Sequence, residues 1–389
     1  MEVYLDNSAT TKVSELVRNE INDVLNNCYG NPSSIHDIGR KSEKKIRKTR
    51  KTIAKYLRCK SEEIIFTSGG TESNNLAIIG YAMRNRKKGN HIITSKIEHK
   101  SVLNSFEYLK TQGFDVTFLD VDQKGMIDLN ELENIISENT IFVSLMHVNN
   151  EIGNINKINE IGNLVKKNNS NTVFHVDGVQ AFGKYKINLN NIDMYSFSGH
   201  KIHSVKGVGG LYKKKSILID SIHKGGQQES GIRPGTENLI GISAMGKAVE
   251  EIVEEYESNY KKVLDLKKIF VDYLNENIED CVINGAGIEE TSPYVLSIAL
   301  KNIYAEVLLH SLESKKVYIS IGSACNSKNK KYSHVIEALN IDEELMKGTI
   351  RISFSKYSTM NEIEYALKAL KESIDELRKI IIRSKWWKH

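Results

Sequence analysis

Short runs of apolar residues, each followed by a stretch with apolar positions at helical spacing, dominate the first two-thirds of the chain. Ile64-Ile65-Phe66-Thr67 is one such run; it ends in Ser68-Gly69-Gly70, and residues 72–84 then carry Leu76, Ile79 and Met83 at helical intervals. Positions three and four apart share one face of a helix, so the order reads as strand, tight turn, helix. Further apolar runs at 91–95, 115–119, 141–147, 172–176, 194–198 and 209–212 alternate with helix-like stretches such as 129–137 and 158–167. The runs are continuous rather than alternating, as suits strands covered on both faces, and the pattern predicts an α/β domain with a mainly parallel sheet flanked by helices.

From about Leu239 the pattern changes to a long helix marked by Ala248, Ile252, Tyr256, Val263, Ile269 and Leu274. Beyond it, strands are expected at 294–299 and 349–354, a helix at 305–312 and a terminal helix from Met360 to about Ile382. This reads as a smaller α+β domain. The expected division is a large domain at 12–245 and a small domain made of 1–11 and 246–389. The basic stretch 40–55 has Ile46, Ile53 and Leu57 on one stripe, the mark of a helix with a solvated face rather than a nucleic-acid patch.

Composition agrees with this outline. A chain of 389 residues exceeds one ordinary core and suits two domains, and 40% hydrophobic with 26% charged residues is normal globular usage. The +5 charge, from 54 basic and 49 acidic residues, is too diffuse to imply a direct nucleic-acid partner. No run approaches the roughly 18 apolar residues of a membrane span, and Met1 leads into Glu2-Val3-Tyr4-Leu5-Asp6, so a cytoplasmic protein with no membrane partner is expected. Cys28, Cys59, Cys281 and Cys325 lie far apart, which argues against a disulfide framework and against a metal site.

Three segments carry candidate chemistry. Ser68-Gly69-Gly70-Thr71-Glu72, between a strand and a helix, is either a plain turn or a phosphate cradle, in which glycines admit an anion to the helix N-terminus and Thr71 adds a hydroxyl. Asp177, in His175-Val176-Asp177-Gly178-Val179-Gln180, closes an apolar run and is either a helix N-cap or a partner for a protonated pyridine nitrogen. Lys201, in Ser196-Phe197-Ser198-Gly199-His200-Lys201, stands in a loop of small residues just past a strand, the setting a Schiff-base amine needs. Cradle, carboxylate and amine in that order form a set.

The resemblance then becomes specific. Segments 4–11 (Tyr-Leu-Asp-Asn-Ser-Ala-Thr-Thr), Gly30-Asn31-Pro32-Ser33-Ser34, Glu98-His99-Lys100-Ser101, Asn149-Asn150-Glu151-Ile152-Gly153, Ser198-Gly199-His200-Lys201 and Gly322-Ser323-Ala324-Cys325 resemble those of cysteine desulfurases of the NifS/IscS-like group. These are class V aminotransferase-like enzymes, and the likeness runs nearly end to end. It implies the fold type I of pyridoxal-phosphate (PLP) transferases, PLP as cofactor, L-cysteine as substrate and a homodimer. It further implies Lys201 as the Schiff-base lysine, Asp177 on the pyridine nitrogen, Gln180 on the ring oxygen and His99 stacked on the ring, helping to move protons. Gly70, Thr71, Ser198 and His200 would hold the phosphate, Thr236 the phosphate of the neighbouring subunit, and Asn150 with Arg351 the substrate carboxylate.

Cys325 would receive the sulfur as a persulfide and pass it to an acceptor protein, an iron–sulfur scaffold or a tRNA-thiolation enzyme. Its surroundings agree: residues 322–332 are small, polar and rich in lysine, the composition of an exposed, mobile loop, and Lys328, Lys330 and Lys331 favour the thiolate modestly. The chain departs from the family pattern after Cys325, where it reads Asn326-Ser327-Lys328-Asn329-Lys330-Lys331 and related enzymes commonly have a threonine next and later an acidic-proline pair, and at Ser204-Val205-Lys206-Gly207, where Gly-Pro-Lys-Gly is usual. An aminotransferase or selenocysteine lyase of the same fold is the nearest rival, and a transaminase would need no thiol at Cys325. A scaffold or tRNA-binding role finds support only in the lysine excess.

Overall fold

The computed structural model describes residues 1–322 and 332–386. After a two-residue strand, β1 (Val3–Tyr4), come two helices, α1 (Glu15–Asn27) and α2 (Asp37–Leu57). Alternation follows: β2 (Ile64–Thr67), α3 (Gly70–Asn85), β3 (His91–Ser95), α4 (Lys100–Thr111), β4 (Asp115–Leu119), α5 (Leu129–Ile135), β5 (Thr140–Met146), α6 (Ile158–Asn168) and β6 (Val173–Asp177). β7 (Met194–Ser198) and β8 (Gly209–Lys213) then precede the long α7 (Leu239–Asn277).

Strands β2 to β8 form one sheet in the order β2-β8-β7-β6-β5-β3-β4. β8 runs antiparallel to both neighbours and the other pairings are parallel. The expected parallel character therefore holds except at β8. The loop 199–208 that joins β7 to β8 is shorter than the crossover of about a dozen residues that a parallel return requires. Successive side chains of these strands enter opposite layers, as pleating demands: Ile64, Phe66, Val143, Phe174 and Phe197 join one core, whereas Ile65, Phe142, Val173 and Met194 join the other. Phe142, Phe174 and Phe197 are fully buried, and each such ring contributes about 2–3 kcal/mol.

The rest of the chain comprises β9 (Cys281–Asn284), β10 (Val295–Leu300), α8 (Ala305–Ser314), β11 (Val317–Tyr318), β12 (Ser320–Ile321), α9 (His334–Ala338), α10 (Glu343–Lys347), β13 (Thr349–Ser353) and α11 (Met360–Trp386). An antiparallel sheet, β12-β13-β10-β9, packs Ile298, Leu300, Ile350 and Ile352 into a separate core. Val3 and Leu5 belong to that core, β1 pairs with β11, and Asp6 bridges to Ser353. α7 supplies buried residues to both regions, Met245 and Val249 to the first and Phe270 and Leu274 to the second. The helices α1, α4, α9 and α10 and the strands β1, β9, β11 and β12 are not anticipated by the sequence pattern, and α11 runs past the expected end at 382. No helix among the described residues is long and apolar enough to cross a membrane.

Candidate active site

β2 and β7 both run antiparallel to β8, so they point the same way, and β3, β5 and β6 follow β7. The carboxyl ends of these strands thus share one sheet edge, where ligands of open α/β sheets bind. Ser68 to Gly70 follow β2, His99 follows β3, Asn150 follows β5, Asp177 ends β6, and Ser198 to Lys201 sit at the end of β7.

α3 begins behind Gly69 with no side-chain cap on its first amides. Crowding explains the glycines: a Cβ on Gly70 would come within 2.6 Å of Val179 Cγ2, and one on Gly209 within 2.7 Å of the Gly69 Cα. Ser198 Oγ, beside this turn, is buried without a hydrogen-bond partner among the described residues. Thr71 is exposed on the first turn of α3. His200 Nδ1 lies 3.3 Å from Thr10 Oγ1, and burial, followed by the Lys201, Lys206 and Lys184 charges, pushes its pKa down to about 4. Burial tends to raise the Glu72 pKa, but hydrogen bonds from Arg233 and Ser68 lower it overall, so this carboxylate beside the cradle is already engaged.

The Lys201 amine donates to the Ser8 carbonyl and, at 2.7 Å, to the Ala9 carbonyl. Burial and the Arg351 charge push its pKa down to about 8, against the opposing pull of Asp6 and Asp177. A lysine so placed is readily freed of its proton. Asp177 accepts from Asn74 Nδ2 at 2.8 Å and from the Val179 N–H at 3.0 Å. Gln180 Nε2 donates to the Ser8 carbonyl at 3.0 Å, and its oxygen accepts from Lys184 at 3.1 Å. Lys184 is itself buried, and burial with the Lys201 and Arg351 charges brings its pKa down to about 7.

His99 caps α4, its Nδ1 accepting from the Ser101 N–H at 3.1 Å and lying 2.8 Å from Ser101 Oγ. Arg351, on β13, donates to the Asn150 carbonyl at 3.0 Å and pairs with Asp6 Oδ1 at 2.8 Å, and its Nε is buried without a partner among the described residues. Lys201, Asp177, Gln180, His99, Asn150, Arg351, Ser198, His200, Gly70 and Thr71 are gathered at this edge and the β13 strand facing it. Thr236 lies exposed on the loop before α7. Cys325 and the loop around it lie outside the described residues. Sequence reasoning assigned no role to Asp6, Asn74, Ser101 or Lys184, or to the Ser8 carbonyl; their parts depend on contacts between distant segments, which carry no local signal.

The donor set fits PLP. An uncapped helix start with the unpartnered Ser198 hydroxyl suits a phosphate. The low-pKa Lys201 suits an aldehyde and the Asp177 carboxylate a pyridine nitrogen. The unpartnered Arg351 Nε leaves part of its fork for a carboxylate.

The comparisons agree. The family model of the class-V aminotransferases matches residues 3–366. Cysteine desulfurase IscS of Dictyoglomus turgidum is 40% identical, over 100% of this chain and 98% of its own. A solved NifS-like protein superposes with a TM-score of 0.91 at 37% identity, covering 96% of this chain and 100% of its own. SspA, solved in complex with cysteine, gives a TM-score of 0.81 at 33% identity, covering 92% and 100%. With catalytic edge, cofactor cradle and end-to-end likeness in accord, the chain belongs to the class-V aminotransferase family and, within it, to the PLP-dependent cysteine desulfurases of the NifS/IscS-like group.

Proposed function

We propose that this chain converts L-cysteine to L-alanine and takes the sulfur onto Cys325 as a persulfide for delivery to an acceptor protein. The observation that carries this reading is the Lys201 amine, depressed in pKa and set within the electrostatic reach of Asp177, Asp6 and Arg351. The capture of cysteine by SspA supports the substrate.

Lys201 would hold the cofactor, with Asp177 available to its ring nitrogen, Gln180 to its ring oxygen and His99 to its ring. Gly70, Thr71, Ser198 and His200 would hold its phosphate, joined by Thr236 of a second copy in a homodimer. When bound, the cofactor supplies an electron-poor ring that stabilises negative charge at the substrate Cα. Asn150 and Arg351 fix the substrate carboxylate. The Lys201 amine takes and returns the proton at Cα. Cys325, as thiolate, attacks the substrate sulfur: an S–S bond forms while the C–S bond breaks, and the carbon side keeps the electron pair and takes up protons to become alanine.

The proposal extends to a cytoplasmic enzyme with domains at 12–245 and at 1–11 with 246–389, and to an iron–sulfur scaffold or tRNA-thiolation enzyme as acceptor. The passage of α7 between two cores supports that division.

The deciding experiment measures alanine and sulfide from cysteine with PLP and a reductant, for the intact protein, Lys201→Ala and Cys325→Ala. Loss of sulfur release in both variants, with the cofactor's visible absorbance retained in Cys325→Ala, upholds the reading. Full activity of Cys325→Ala would remove the persulfide step and point to another PLP reaction.

A further inference from the structure

Four side chains from three strand ends and helix starts form a connected run of hydrogen bonds. The Asn74 amide nitrogen, on α3, donates to Asp177 Oδ2 at 2.8 Å and to Ser101 Oγ at 2.9 Å. Reversing this amide would set its oxygen against the Asp177 carboxylate, so the direction is chemically fixed. Ser101 Oγ therefore accepts from Asn74, and its own hydrogen goes to His99 Nδ1 at 2.8 Å. The Ser101 backbone N–H is aimed at the same nitrogen, at 3.1 Å. Asn74, Ser101 and Asp177 are all buried, so water is a poor substitute for any link.

Neutral imidazole has one protonated and one bare nitrogen. With two donors on Nδ1, that nitrogen is the bare one and the proton resides on Nε2. A proton on Nδ1 would leave both the Ser101 hydroxyl hydrogen and the Ser101 N–H without an acceptor, a cost of about 1–3 kcal/mol for each buried donor. We propose that Asn74 and Ser101 are positioning residues that lock His99 as a neutral ring protonated on Nε2, tied to Asp177. His99 then serves as a fixed N–H donor and stacking partner, and the proton moved in each turnover is carried by Lys201. This assignment rests on the desulfurase reading for the places of His99 and Asp177.

The charges around the ring act with the network. Loss of hydration beside the protein holds the His99 pKa below the ordinary imidazole value, Asp177 and Glu151 pull it up, and Lys201 and His334 pull it down. Removing the Ser101 hydroxyl removes a donor that favours the neutral form, so the pKa rises.

The test has two arms. In cofactor-free protein carrying nitrogen-15 histidine, the His99 ring signals, identified by their loss in His99→Gln, report the tautomer directly. Bare Nδ1 and protonated Nε2 at neutral pH are expected, with a ring that protonates at higher pH in Ser101→Ala and Asn74→Ala and behaves as wild type in Ser101→Thr. In the PLP-loaded enzyme, the acid limb of kcat/KM for cysteine moves up by about one pH unit in Ser101→Ala, a roughly tenfold loss below both midpoints that vanishes at high pH. A merely structural defect would lower the rate equally at all pH values. Protonated Nδ1 in the wild type, or an unchanged titration in Ser101→Ala, would overturn the proposal. The tautomer arm needs no turnover, so a failed desulfurase reading, shown by an active Cys325→Ala, remains distinguishable from a failed network.

Discussion

Asp6 Oδ1 holds Arg351 Nη2 at 2.8 Å, joining the start of the chain to β13 across the catalytic edge. The pair is largely enclosed, with side chains 21% and 11% exposed, so the arginine is aimed before any substrate arrives. Asp6→Asn keeps the shape and removes the charge. The expected result is a rise of about tenfold in KM for cysteine, corresponding to roughly 1.4 kcal/mol of lost orientation, with a smaller change in kcat. An unchanged KM would show that Asn150 alone aims Arg351.

Lys201 governs a second expectation. Its amine reacts with an aldehyde only when neutral, so the rate at which cofactor-free protein takes up PLP rises with pH through about 8, not through the ordinary lysine value of about 10.4. Arg351 depresses that pKa and Asp6 supports it. The midpoint therefore moves up in Arg351→Ala and down in Asp6→Asn. Stopped-flow absorbance across pH reads both shifts, and a wild-type midpoint near 10 contradicts the assignment.

Gly178 is a packing position. A Cβ there would lie 1.9 Å from Tyr195 Cε1 and 2.0 Å from Cζ, and Tyr195 is fully buried. Gly178→Ala displaces that ring or the adjoining Asp177, at a cost of about 3 kcal/mol or more. Gly207→Ala is the contrast: open space surrounds it, its φ of +79° is the difficulty, and about 1–2 kcal/mol is expected. Thermal melts of the two cofactor-free variants should separate in that order.

Lys184 links stability to pH. Its folded pKa, about 7, lies below the unfolded value of about 10.4, so between them the unfolded chain binds more protons and stability rises with pH. Below about 7 the folded protein bears a buried charge and the full penalty applies. Lys184→Met removes this slope, and the variant should gain stability over wild type at pH 6 by about 1 kcal/mol or more, with little gain at pH 10. Equal differences at both pH values would argue against a titrating Lys184.

The sequence made the sheet legible because its strands are buried on both faces: runs such as Ile64–Thr67 and Met194–Ser198 carry the signal in themselves. Strand direction is not encoded that way, and β8 shows its antiparallel sense only through the shortness of loop 199–208. β9 went unnoticed because its apolar run, Cys281-Val282-Ile283, is only three residues long and ends at Asn284. At the site, Asp177 closing an apolar strand and Lys201 in a loop of small residues just past the next one were legible only as a set with the Ser68–Glu72 turn. Asn74 and Ser101 are ordinary polar residues of helix starts until α3 and α4 bring them together.

α7 has a thermodynamic consequence of its own. Its residues 242–252 contribute to the core beside the seven-stranded sheet and residues 263–274 to the core of the antiparallel sheet, on one helix of about 58 Å. Melting either sheet alone would strip half of this helix of its partners while the other half held it in place, exposing apolar area without releasing its full chain entropy. Intermediates of that kind are disfavoured, so the two regions should lose structure cooperatively, in a single calorimetric transition.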